Sequence, residues 1–129
     1  YKMYDEVFEE RANIEVKFHE IMNLIGKLYG DELANSSIRS VPNFYGLFLA
    51  LYHMNYGVKA LDVERKAIVE NDYSKVINAL DDINNVLEND TPRTVDLEFI
   101  KSTKDATTDI PARRIRCKYI SKAIYESLV

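Results

Sequence analysis

Two histidines, one cysteine and a cluster of basic residues near the C-terminus are the side chains of this 129-residue chain best suited to chemistry. His19-Glu20-Ile21-Met22-Asn23 begins like the zinc-protease motif H-E-x-x-H, but Asn23 stands where the second imidazole is required. Without two histidines on one helix face the metal cannot be held, so His19 reads as a solvated helix residue. His53 lies in an apolar stretch, where a buried imidazole must find a hydrogen-bond partner or be neutral. It reads as a satisfied core histidine. Cys117 has basic neighbours but no histidine beside it, and reads as a packed thiol. There is no Gly-rich phosphate loop, no Ser-His-Asp signature and no paired-carboxylate motif. No catalytic, cofactor-binding or metal-ligating residue is assigned.

The C-terminal segment holds the sharper anomaly. Ile115, Tyr119, Ile120, Ala123 and Ile124 define the apolar arc of a helix, and Arg116 falls in the middle of that arc. Arg113 falls near its edge. A guanidinium directed at a core needs a partner, because a lone buried charge costs several kcal/mol. Arg116, with Arg113, is therefore the candidate for a buried ion pair. Asp105, Asp109 and Glu98 are the carboxylates near enough to serve. Arg114, Lys118 and Lys122 run at steps of four down the opposite face. They are the candidate contacts for phosphate or DNA.

These residues need elements to position them. Pro42 opens and Gly57 closes a run that is apolar nearly all round, Val41 to Gly57, which predicts a buried central helix over about 42–57. Gly46, Ala50, His53 and Gly57 fall on one line of it and would admit a closely packed neighbour. The last helix, with Arg116 on its apolar arc, is one candidate. Tyr45, Tyr52 and Tyr56 lie in the same stretch with no basic residue among them, so packing is favoured over base stacking.

Upstream, residues 1–12 read as a short helical lead-in, and Asn13 as the cap of a second helix. Its apolar face is Ile14, Phe18, Ile21, Ile25 and Leu28. Gly30 ends that helix, and residues 31–40 read as loop. Downstream, Asp62 is expected to cap a short turn over Val63–Val69. Asn71 or Asp72 starts a helix with Tyr73, Val76, Ile77, Leu80, Ile83 and Leu87 on its apolar face, which Pro92 follows. Thr94 caps a short segment, and Thr107 to Asp109 cap the last helix, where Pro111 sits in the first turn. The fold class is all-α: a single domain over 1–129, a bundle of five to six helices around the central one.

The totals agree. Apolar residues make up 47% and charged residues 29%, with only four glycines and three prolines. One cysteine permits no internal disulfide and suits a reducing cytoplasm. No apolar run reaches the roughly 20 residues that span a membrane. Net charge is −4, but residues 110–129 carry five bases against one acid, which leaves −8 on the remainder. An acidic body with a basic last helix is not the footprint of a general nucleic-acid binder. The first residue is Tyr1 rather than Met, and the expectation is a piece of a longer chain.

Three stretches resemble the helical region that follows the nuclease-type domain in the GmrSD-like family of restriction and phage-defence proteins. They are Arg39 through Gly57, then Phe99-Ile100 with Ala106-Thr107-Thr108-Asp109, and the Arg113–Arg116 spacing. Ile14 to Leu28 sits at the distance upstream that the family leads one to expect. In that family the chemistry belongs to an N-terminal ParB-like domain with a D-G-Q-Q-R motif and often to a C-terminal HNH domain. Neither motif occurs here, so no catalytic residue is transferred. The resemblance implies a cytoplasmic helical accessory domain of a DNA-targeting protein. Its partners would be the other domains of the parent chain, with DNA as a further candidate. The competing expectation is a stand-alone protein–protein interaction module with a large apolar surface patch. An enzymatic reading would need carboxylates converging on His53.

Overall fold

The computed structural model describes residues 2–29, 41–58, 61–104 and 110–129, with side chains from Asn13 onward in the first helix and from Asn43 onward in the second. Among them are five α-helices: α1 (Lys2–Tyr29), α2 (Val41–Tyr56), α3 (Tyr73–Glu88), α4 (Leu97–Lys104) and α5 (Ile110–Leu128). Single 3-10 turns, Glu70–Asp72 and Thr94–Asp96, lead into α3 and α4. No strand occurs among the described residues, and the all-α bundle expected from the sequence is what forms.

α1 is one uninterrupted helix, not a lead-in and a second helix, and Asn13 lies inside it. Residues 2–20 hold neither glycine nor proline and are rich in Glu, Lys and Arg. Helix propensity therefore carries through the position where a capping residue would act. Gly30, residues 31–40 and residues 107–109, expected as a helix end, a loop and caps, lie outside the described residues. At 28 residues, α1 is about 42 Å long against about 24 Å for α2.

α2 packs on α1 and α5, and α5 in turn packs on α2, α3 and α4. The core is a single cluster drawn from all five helices, including Ile21 and Ile25, Leu47 and Leu51, Val76 and Leu80, Phe99, and Ile120 and Ile124. Gly46, on the line of small residues, faces α5, the neighbour considered for that line, whereas Gly57 at its other end lies against Arg65. A Cβ added at Gly46 would lie 3.2 Å from Ile120 Cδ1 and 3.5 Å from Arg116 Cβ. One arc of α2 stays only part-covered: Tyr45 is exposed, and Phe48, Leu49, Tyr52 and Tyr56 are half-buried.

Gly57 terminates α2 with φ +87°, a conformation that side chains resist. Its N–H donates to the His53 carbonyl at 2.9 Å. No helical turn follows over 63–69, contrary to the expectation at Asp62. Side chains satisfy that backbone instead. Asn55 Oδ1 accepts the Ile68 N–H at 2.9 Å and Asp72 Oδ2 the Val69 N–H at 3.3 Å. Lys66 Nζ donates to the Leu128 carbonyl at 3.1 Å, where a cation complements the exposed carbonyls of a helix C-terminus.

The approach at Gly46 sets a strict size limit. Gly46→Leu forces a side chain between α2 and Ile120 and is expected to cost about 1–3 kcal/mol or more by overpacking. Thermal unfolding would show this as a lowered, broadened transition.

Candidate functional site

Arg116 is buried, with 2% of its surface exposed, on the α5 face that meets α2. Its Nη1 donates to the Ser102 carbonyl at 2.6 Å, near the end of α4. Cationic donors are favoured at such a terminus because its last carbonyls have no partners within the helix. Burial pushes the Arg116 guanidinium below its ordinary pKa; the Cys117 thiol offsets part of this and the Arg113 charge adds to it. The side chain thus ties α4 to α5 while its Cβ lies against α2. Of the carboxylates considered for it, Glu98 is exposed, while Asp105 and Asp109 lie outside the described residues. Arg113 is exposed, which corrects its placement as a buried pair member. It sits three residues before Arg116, far enough round the helix to reach solvent.

His53 is buried at the end of α2. Its Nδ1 accepts the Val58 N–H at 2.9 Å, and its Nε2 lies 2.7 Å from the Val63 carbonyl. A backbone N–H can only donate, so Nδ1 is the acceptor and Nε2 carries the proton donated to Val63. The ring is neutral and both nitrogens are occupied by the backbone. This is the satisfied core histidine expected. His19 is exposed, and its ring meets Phe18 edge-on at 5.9 Å. Burial raises the pKa of the Cys117 thiol, although the Arg116 charge lowers it in part. That is the behaviour of a packed thiol rather than an activated one.

Arg114, Lys118 and Lys122 do come together, along one wall of a cleft of about 480 Å³ between α5, α4 and the 62–63 segment. Asp62 and Glu98 share that cleft, and Val63, Phe99 and Ile115 supply apolar walls. Val95, Tyr119 and Lys122 also border a second cleft, of about 740 Å³, between α3 and α5.

The second cleft contains a cluster the sequence did not announce. Asp96 is buried directly before α4. It accepts Arg93 Nε at 2.9 Å and Nη2 at 3.4 Å, and the Tyr119 O–H at 2.8 Å. Tyr119 lies flat on Phe99, ring centroids 3.9 Å apart at 7°. Burial opposes ionisation of Asp96, but the hydrogen bonds from Arg93 and Tyr119 and the Arg93 charge outweigh it, so its pKa falls below the usual value. Tyr119 is pushed up to about 12, by burial first and then by the Asp96 carboxylate. Arg93 and Asp96 at i,i+3 beside a helix start were the only sequence signal, and the Tyr119 partner is 23 residues away. No group of three or more His, Cys, Asp or Glu side chains could hold a metal among the described residues.

The remaining feature is apolar. Ile14 and Phe18 continue the stripe of Ile21, Ile25 and Leu28, yet Ile14 is 54% and Phe18 47% exposed. The bundle covers the C-terminal half of α1 and leaves residues 13–20 largely open. Phe18 meets Phe48 at 5.1 Å, and Phe48, Tyr52 and Tyr56 continue the row along α2. Met22 and Tyr45 are exposed beside it. The half-buried Lys17 places its Nζ 5.1 Å from the Tyr56 ring centre, a cation–π contact.

Fold and surfaces define an all-α domain with a polar, hydrogen-bonded interior seam and an uncovered apolar face. Compared with protein-family models, curated proteins and solved structures, the chain matches none. No described helix is long and apolar enough to cross a membrane.

Two measurements test the buried polar groups. Arg116→Ala removes the hydrogen bond to the Ser102 carbonyl and opens a cavity, and should cost roughly 2–4 kcal/mol. An unchanged melting curve would contradict the tie between α4 and α5. For Asp96 the folded pKa is lowered, so its contribution is present above the unfolded value of about 3.9 and lost as pH falls through the folded value. Asp96→Asn should therefore flatten the acid limb of stability against pH. An acid limb identical in both proteins would remove the cluster's role.

Proposed function

We propose that this chain is a helical accessory domain that acts by docking another protein surface and is not itself the seat of a reaction. The observation that carries this reading is the apolar face of Ile14, Phe18 and Met22 on α1 with Tyr45 and its half-buried neighbours on α2. Exposed apolar side chains grouped on adjoining elements mark interaction sites, whereas scattered ones do not. Aromatic residues are the side chains that most often dominate such contacts. In the light of the resemblance to GmrSD-like proteins, the docked surface is the nuclease-type part of a cytoplasmic, DNA-targeting restriction or phage-defence protein. As a stand-alone interaction module the chain would use the same face.

DNA contact through Arg114, Lys118 and Lys122 is the second reading. Their alignment along one cleft wall favours it. Asp62 and Glu98 in the same cleft weaken the local field, and for that reason docking ranks first.

Co-expression with the remainder of the parent protein tests the reading. The two parts should elute together from a sizing column, and Ile14→Asp with Phe18→Asp should separate them. Because these side chains are exposed, the melting temperature of the double variant should stay close to that of the native chain. Co-elution indifferent to both substitutions would overturn the assignment of this face.

A further inference from the structure

We infer that the partner of the α1 face is a basic amphipathic helix, which lays its apolar ridge on Ile14 and Phe18 and its cations beside Glu15 and Glu20. This rests on the docking reading above and adds the chemistry of the occupant. Three observations lead to it.

The first is shape. Residues 2–20 of α1 span 19 helical residues, about 28 Å, and the apolar stripe at Ile14 and Phe18 runs in register with the stripe buried from Ile21 to Leu28. A straight ridge of this kind is best covered by another helix, whose i, i+3, i+4 and i+7 side chains can fill it.

The second is charge. Residues 2–20 contain six acids against three bases, a balance of −3. In the described part, Glu15 and Glu20 are exposed to either side of the stripe. Lys17, the lone lysine or arginine there, is held at the Tyr56 ring. An occupant with cations flanking an apolar ridge would thus be both steered and held.

The third is what the same charge disfavours. A second copy meeting this segment through its own α1 would set −3 against −3. An anionic membrane surface meets the same repulsion, since interfacial helices carry cations on their polar face.

Binding of two synthetic helices to the full chain tests the inference. Both are about 18 residues long with the same leucine ridge; one carries lysines on its polar face, the other glutamates. The lysine peptide should bind about tenfold tighter or more, and its affinity should fall as salt rises. Ile14→Asp should weaken it about tenfold. Glu15→Lys with Glu20→Lys should turn the preference toward the glutamate peptide, while Asp81→Lys with Asp90→Lys should leave it unchanged. If both peptides bind equally and Ile14→Asp weakens both, the basic partner is wrong while the docking face stands. If neither binds, the inference fails, and co-elution with the parent decides the docking reading separately. A micromolar dimer that Ile14→Asp dissolves would identify a second copy as the occupant and overturn the inference.

Discussion

The close approach of α2 and α5 at Gly46 is the constraint on which the rest of this structure depends. With no side chain at 46, the α5 backbone at Arg116 comes within 3.9 Å of where a Cβ would stand. That proximity does two things. It joins α2 and α5 in an extensive pairing, with Leu47, Ala50, Leu51, Ile120 and Ile124 all buried in the one core. It also carries the base of Arg116 inside, so that its guanidinium reaches the Ser102 carbonyl rather than water. α5 touches three helices, and its position relative to α2 fixes theirs. The glycine thus accepts an unfavourable helix propensity of about 1 kcal/mol in exchange for an approach in which even a Cβ would stand 3.2 Å from Ile120 Cδ1.

A second layer of order is polar and lies at the ends of helices. His53, Asn55 and Asp72 each use a side chain to satisfy backbone that no helix satisfies, along 58–69. Lys66 fastens the same segment to α5 at the Leu128 carbonyl. An irregular stretch of this length is held because its buried N–H and C=O groups have partners. The Asp96 cluster does the same for the entry to α4. These devices explain why the titratable groups with internal surroundings are occupied by structural work. The pKa of Tyr29, half-buried against the hydrophobic core, is raised by burial first and then by the nearby Asp81 charge.

Much of this could be read from residue types. Pro42 and Gly57 bracket α2, the spacing of Val76, Leu80 and Ile83 marks α3, and the position of Arg116 on an apolar arc announces a buried guanidinium. Local signals failed where a tertiary partner decided the outcome. Asn13 looks like a cap only if residues 2–12 are not helical. Arg113 looks like a member of a pair only if the buried arc of α5 is wider than it is. Tyr119 joins the Arg93–Asp96 pair from 23 residues away, too far for any spacing rule, and the Val63 and Ile68 backbone is bonded by His53 and Asn55 on α2, which the segment's own sequence does not mention. The alignment of Arg114, Lys118 and Lys122 was legible, but the carboxylates that share their cleft were not, because they come from other elements.

The least legible feature was the uncovered face, and the reason is instructive. Ile14, Phe18, Ile21, Ile25 and Leu28 make one continuous stripe, and periodicity alone treats its members as equivalent. Length separates them. α1 is nearly twice as long as α2, so a bundle built on α2 and α5 can cover only part of it. Ile21, Leu24, Ile25 and Leu28 are buried in the core, whereas Ile14 and Phe18 stay about half exposed. The part of Ile14 and Phe18 that stays in water gains no burial free energy from folding, at about 25 cal/mol for each Å². The regular helical spacing of that open part fits a surface supplied by another molecule or by another part of a longer one. The aromatic arc of α2 adjoins that stripe through Phe18 and Phe48, so the two form one surface rather than two accidents of composition.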